Sequence, residues 1–227
     1  PVNRRQRQMC IRDRHYASSV FEGERAYNGK IFKSEEHTQR FFEGAQTMDM
    51  EIPFTQSEIL NAKKKLIISN GLKDAYVRPI AWRGSEMMAV SAQKTTINVA
   101  IASWAWPSYF DPSEKMKGIK LDIAKWRRPD PNCAPVHVKA SGLYMICTLS
   151  KHDAEAKGYS DAVMLDWRDL IAEATGANIF FKFKDGNLYT PKPDCFLDGI
   201  TRRTVIKLAK DLGVNTIEKQ LRLDDVH

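Results

Sequence analysis

Ala134-Pro135-Val136-His137-Val138-Lys139-Ala140-Ser141-Gly142-Leu143-Tyr144 is the stretch from which the rest of the chain is read. Its lysine is flanked by small and apolar residues and follows a proline-containing loop. An ammonium stripped of water loses its main stabilisation, so the free amine becomes accessible as a nucleophile. Such an amine condenses with an aldehyde. Taken by itself, the stretch also fits a lysine that snorkels from the start of a helix.

Two later stretches bear on that choice. One is Ala172-Glu173-Ala174-Thr175-Gly176-Ala177-Asn178-Ile179-Phe180, and the other is Asp198-Gly199-Ile200-Thr201-Arg202. An apolar setting around Glu173, with Thr175 and Asn178 nearby, suits a carboxylate that meets a cation. The turn at Gly199-Ile200-Thr201 opens a helix, and a helix N-terminus with a hydroxyl and free backbone N–H groups suits a phosphate. Lysine, then glutamate in this run, then Gly-Ile-Thr-Arg resembles the ordered signature of the class IV pyridoxal-phosphate transaminases. The nearest resemblance is to the branched-chain amino acid aminotransferases, and it runs from His15 to about Gly213.

That resemblance implies a two-domain α/β fold of the D-amino acid aminotransferase type. It also implies a pyridoxal 5'-phosphate cofactor and amino transfer between leucine, isoleucine or valine and 2-oxoglutarate. Lys139 would carry the cofactor and then act as the base. Glu173 would meet the protonated pyridine nitrogen, which keeps the ring an electron sink. Tyr144 would hydrogen-bond the phenolate oxygen, and Leu197, Ile200 and Thr201 would complete the cofactor contacts.

Bulk properties set the frame. With 227 residues, 43% of them hydrophobic, the chain can build one large core or two modest ones. No apolar run approaches the roughly 20 residues that span a bilayer, and the start has no secretory pattern. Cys10, Cys133, Cys147 and Cys195 are scattered without metal-ligand spacing, which fits reduced thiols in the cytoplasm and no metal site. The net charge is +7, of which residues 1–14 hold +4 through five arginines against Asp13. A near-balanced body with a basic tip is no nucleic-acid platform.

In chain order, residues 1–14 lack apolar periodicity and do not resemble the family, so they stand outside the fold as an atypical basic segment. His15 to Tyr27 is expected to alternate as a strand, turn at Asn28-Gly29 and resume at Lys30-Ile31-Phe32. Tyr16 and Phe21 would wall the substrate pocket by resemblance. Ser34 opens a helix with Glu35 and Glu36 in its first turn. A buried arginine on that helix needs an anion. The resemblance gives Arg40 the cofactor phosphate, and a surface pair with Glu36 is the other reading.

Thr55-x-x-Glu58 is a capping box for a helix ending near Asn70-Gly71. Tyr76 to Trp82 reads as a strand that projects Tyr76 and Arg78 from one face. By resemblance these two bind the substrate α-carboxylate. Arg83 to Val90 is a loop that in the family reaches a neighbouring subunit, which implies a homodimer or a higher homo-oligomer. A strand from Thr96 to Trp104 leads to Trp106 and Tyr109, which by resemblance would complete the side-chain pocket and otherwise read as ordinary core aromatics. Val205, Ile206, Leu208, Ala209 and Leu212 would form the core stripe of the last helix.

The expected organisation is therefore a small α/β domain over 15–110, a linker over 111–118 and a larger cofactor-binding domain over 119–227. Family members continue beyond the position of His227, so the C-terminal part of the fold is expected to be missing and the chain to be a fragment. Other class IV activities are the alternatives: D-amino acid transaminase, R-selective amine transaminase or aminodeoxychorismate lyase. An inactive fragment is a further one. Phe21-Glu22-Gly23-Glu24-Arg25 together with Tyr76-x-Arg78 favours the branched-chain type.

Overall fold

The computed structural model describes residues 11–106 and 116–226. These divide into two compact units: 11–106 with 138–142, and 116–137 with 143–226.

The first unit opens on a short helix, α1 (Ile11–Tyr16), with Arg14 and His15 in its last turn, where cations complement the helix dipole. The expected strand therefore does not begin at His15. Ala17 adopts a left-handed conformation, φ 48°, which ends the helix, and strand alternation starts only at Ser19. β1 (Ser19–Phe21), β2 (Glu24–Tyr27), β3 (Lys30–Ile31), β4 (Ala75–Arg83) and β5 (Ile97–Ala105) build one antiparallel sheet. Asn28 and Gly29 turn between β2 and β3 with φ of 50° and 76°, the paired positive values of a tight hairpin. β1 and β2 share one edge of β4, and β5 takes the other.

Period-two alternation sorts the sheet's faces. Val20, Glu22, Glu24 and Ala26 all point to one side and are at most 1% exposed. Phe21, Gly23 and Arg25 turn to the other. β4 follows suit, with Ala75, Val77, Pro79 and Ala81 buried and Tyr76, Arg78, Ile80 and Trp82 half-buried. α2 (Ser34–Thr47) and α3 (Gln56–Ser69) belong to the same unit. On the buried side Ala26, Ala75 and Val77 pack with Ile67 of α3. The box at α3 is formed: Thr55 Oγ1 accepts from Glu58 N at 3.2 Å, and Thr55 N donates to the Glu58 carboxylate at 2.8 Å.

Residues 138–140 run along the free edge of β1. Phe21 N donates to the Lys139 carbonyl at 3.1 Å, and Val20 bridges to Ala140. Val138 and Ala140 are buried, with Val138 against Gly44 of α2. Lys139 thus lies in an extended segment rather than at a helix start.

In the second unit β6 (Leu121–Ile123), β7 (Asp161–Leu165) and β8 (Ile171–Ala174) form one sheet. β9 (Phe181–Lys182), β10 (Leu188–Thr190) and β11 (Thr216–Glu218) form another. A 3-10 turn, Ser141–Tyr144, leads into α4 (Met145–Ala156). The last helix, α5 (Ile200–Asp211), is followed by Gly213 at φ 73°. Its stripe differs from the expected one: Leu208 and Leu212 are 54% and 80% exposed, while Ile200, Arg202 and Ala209 are buried. Arg202 sets that orientation, because its guanidinium donates to Asp198, Glu218 and the Pro191 carbonyl at 2.6–3.0 Å. Among the described residues no helix is long and apolar enough to cross a membrane.

Candidate active site

In the first unit four of the expected side chains meet on the half-buried face of the sheet. Lys139 Nζ lies 4.9 Å from the centre of the Phe21 ring, and the Arg78 guanidinium lies 4.9 Å from the same ring. Arg78 Nη2 donates to the Tyr76 hydroxyl at 2.9 Å. The Tyr76 ring stacks on Trp104 at 5.0 Å and tilts against Trp106 at 5.4 Å. An amine, a ring, a guanidinium and a phenol therefore follow one another across one surface. Gly23 makes room for this, because a Cβ there would come 1.9 Å from the Tyr76 hydroxyl. Arg78 Nε is buried with no hydrogen-bond partner among the described residues, so the guanidinium retains donor capacity for an anion. Tyr16, at the end of α1, is 41% exposed and outside this row. Tyr109 lies outside the described residues.

Arg40 sits on α2, and its anion here is supplied by the protein. Arg40 Nε and Nη2 donate to the two oxygens of Glu22 at 2.6 and 2.9 Å, and His37 Nδ1 lies 2.7 Å from the same carboxylate. Glu36 pairs instead with Lys33 at 2.7 Å. Burial alone would push the Glu22 carboxyl up. Hydrogen bonds from His37 and Arg40, with their positive charge, outweigh it and hold the group at about 2. A carboxyl depressed in the fold contributes stability above its unfolded value near 4.5, and that stability is lost as pH falls toward 2. The contribution is on the order of 3 kcal/mol. Glu22→Gln is expected to flatten the acid limb of a stability profile from denaturant midpoints between pH 5 and 2. An unchanged acid limb would show that other carboxylates govern it.

In the second unit Glu173 projects from β8 with its side chain 12% exposed. Arg128 Nε lies 3.5 Å from one carboxylate oxygen, and Asn178 Nδ2 lies 3.3 Å from the other. The same Asn178 nitrogen donates to the Leu197 carbonyl at 3.1 Å. Two residues on, Gly199 caps α5, so buried Ile200 and exposed Thr201 form its first turn. Tyr144 packs against Cys147, Ala154, Ala162 and Met164. Arg128 is 4% exposed and its Nε has no hydrogen-bond partner among the described residues.

Glu22, Arg128 and Trp104 belong to these clusters and are absent from the expectations drawn from sequence. The signal for Glu22 is nevertheless there: a strand that sends Val20 inward sends Glu22 and Glu24 inward too. Arg128 is set by a single bridge to Asp166, which no local pattern announces. Elsewhere Asp166, Asp194 and Cys195 come close enough to share an ion. Arg168 already occupies both carboxylates, at 2.6 and 2.9 Å.

Each unit by itself carries groups that suit part of a pyridine bearing an aldehyde and a phosphate. The first offers a half-buried primary amine on the face that holds the orphaned Arg78 Nε, and the second offers a carboxylate able to accept an N–H and a helix N-terminus with backbone donors.

Known proteins point the same way. Residues 19–227 match the family described as amino-transferase class IV. A probable branched-chain-amino-acid aminotransferase of Rickettsia felis is 44% identical over 212 residues, covering 93% of this chain and 71% of that protein. The branched-chain-amino-acid aminotransferase of Pseudomonas aeruginosa is 37% identical over 217 residues, covering 94% and 70%. Among solved structures, the T.th. branched-chain amino acid aminotransferase with pyridoxamine 5'-phosphate superimposes with a TM-score of 0.90 at 36% identity. It covers 94% of this chain and 71% of the other. The Escherichia coli enzyme gives a TM-score of 0.89 at 34% identity, covering 94% and 72%.

Proposed function

The chain belongs to the class IV aminotransferases, and on that premise we propose that it transfers amino groups between branched-chain L-amino acids and 2-oxoglutarate with pyridoxal 5'-phosphate as cofactor. The observation that carries the reading is the row of Lys139, Phe21, Arg78 and Tyr76 on one sheet face. It sets an amine beside a ring, a guanidinium and a phenol. Bound pyridoxal 5'-phosphate supplies a carbonyl that carries the amino group and a ring that draws electron density from the substrate Cα.

The chain's own residues do the remaining work. Lys139 holds the cofactor and, once displaced, its amine moves the proton at the substrate Cα. Glu173 keeps a proton at the ring nitrogen, and Tyr144 donates to the ring oxygen. Arg40, oriented by Glu22, is a phosphate contact, and the Ile200 and Thr201 turn beside Leu197 offers its N–H groups to phosphate. Arg78 and the Tyr76 hydroxyl bind the α-carboxylate. Phe21 and Trp106 stand beside that pair as apolar walls, which favours a branched aliphatic side chain.

A substrate panel tests this. With 2-oxoglutarate as acceptor, L-leucine is expected to be the fastest donor, with D-alanine and an aryl amine at background. Faster turnover of either of those two would overturn the branched-chain reading. Treatment with pyridoxal 5'-phosphate and borohydride is expected to leave a phosphopyridoxyl group on Lys139 in the mapped peptides. The same reading carries an assembly of two or more copies and action in the cytoplasm, which sedimentation and cell fractionation measure. The loop after β4 supports the assembly, since Met88 and Val90 are 51% and 84% exposed.

A further inference from the structure

We propose that Asn178 is a positioning residue that ties the Glu173 carboxylate to the first turn of α5, so that the ring-nitrogen and phosphate contacts of the cofactor are set together. The inference rests on the roles proposed above for Glu173 and for the turn at Ile200 and Thr201.

Three observations converge on this one side chain. Its Nδ2 donates to Glu173 at 3.3 Å and to the Leu197 carbonyl at 3.1 Å, so both amide hydrogens are directed, one to each partner. Its Oδ1 lies against the next link in the chain: a Cβ built on Gly199 would stand 2.2 Å from it. Gly199 has φ −64° and ψ 138°, a conformation open to any residue. The glycine is therefore required by the close approach of Asn178 rather than by backbone strain. Leu197, Gly199 and Ile200 are continuous with the start of α5, so a shift of that turn moves the amide, and the amide moves the carboxylate.

The cofactor's ring nitrogen and its phosphate belong to one molecule, joined through the ring and a short arm. A protein that must satisfy both gains from a rigid spacer between the two contacts, because a displacement of either costs affinity. An amide with both hydrogens committed is such a spacer. A carboxylate at this position would put a like charge beside Glu173, and a hydroxyl is too short to reach both acceptors.

The test is a double-mutant cycle for pyridoxal 5'-phosphate binding, read as Kd by absorbance titration of the full chain. Glu173→Gln and Thr201→Ala are combined in two backgrounds, one with Asn178 and one with Asn178→Ala. Asn178→Ala alone is expected to weaken binding about 10- to 100-fold, the scale of one charged and one neutral hydrogen bond. With Asn178 present, the combined loss should depart from the product of the single losses by about 3-fold or more. In the Asn178→Ala background that departure should shrink toward one. A purely structural asparagine would weaken all variants alike and leave the departure unchanged, which overturns the proposal. Asn178→Ser, with its melting followed without cofactor, provides the same comparison where the alanine variant does not fold. A wild-type chain that takes up no pyridoxal 5'-phosphate overturns the functional reading and this inference with it. Binding on Lys139 with equal coupling in both backgrounds overturns the inference alone.

Discussion

Lys139→Ala is expected to lower amino-transfer turnover by roughly 10²- to 10⁴-fold, the scale on which a positioned base acts, with covalent attachment lost as well. The side chain is the sole amine of the row on its surface: beside it are a phenyl ring, a guanidinium and a phenol. None of these offers a nitrogen lone pair, since a guanidinium is not deprotonated in proteins. Lys139→Arg separates charge from nucleophilicity. It keeps the cation over the Phe21 ring but removes the amine, so its turnover should fall as far as that of the alanine variant. Cofactor affinity should fall much less than turnover in either variant, because Arg40, Glu173 and the α5 turn are untouched. Initial rates with L-leucine, set beside an absorbance titration of the cofactor, separate the two effects. Turnover within 10-fold of wild type in Lys139→Arg would remove the lysine from the chemistry.

Features legible ahead of the structure have local causes. The Asn28-Gly29 hairpin and the Thr55–Glu58 capping box each depend on a few neighbouring residues whose backbone preferences are strong. The two-residue spacing of Tyr76 and Arg78 likewise puts them side by side, because strand geometry alone demands it.

Features hidden from the sequence depend on contacts between distant segments. Arg40 needs an anion, and the chain answers with Glu22, 18 residues earlier. Glutamates in a half-polar strand read as solvated, and only the alternation with Val20 and Ala26 says otherwise. The exposed Leu208 and Leu212 fail for the opposite reason. Apolar spacing names the face, but Arg202 and its acceptors on other segments choose which side of α5 turns inward. The strand pattern beyond His15 and Tyr16 is strong enough to draw both residues into it. The left-handed Ala17 separates the two elements, and no proline or glycine marks it.

The same inward-facing strand gives the second large effect. Lys63 and Glu24 are both fully buried, and Lys63 Nζ donates to Glu24 at 2.7 Å and to Thr38 Oγ1 at 2.6 Å. Ser34 Oγ donates to the other Glu24 oxygen at 2.9 Å. Burial pushes the Glu24 carboxyl up and the Lys63 ammonium down, while their mutual attraction opposes both shifts. Lys63→Met leaves an unpaired carboxylate in the core, and removing one partner of such a pair costs about 3–5 kcal/mol. That is a large share of the roughly 5–15 kcal/mol by which a typical domain is stable, so the urea midpoint should fall steeply. Adding Glu24→Gln to Lys63→Met should recover much of the loss, because no charge is then stranded.

The pH dependence of the single variant follows from the same sign. A carboxyl raised in the fold contributes stability below its unfolded pKa and loses it as pH rises through the folded value. Lys63→Met should therefore be more stable near pH 5 than near pH 8, and the double variant should show no such gain. A Lys63→Met midpoint that matches wild type, or that is flat between those pH values, would mean that water or rearrangement reaches Glu24 and that the pair is not the anchor joining β2 to α3.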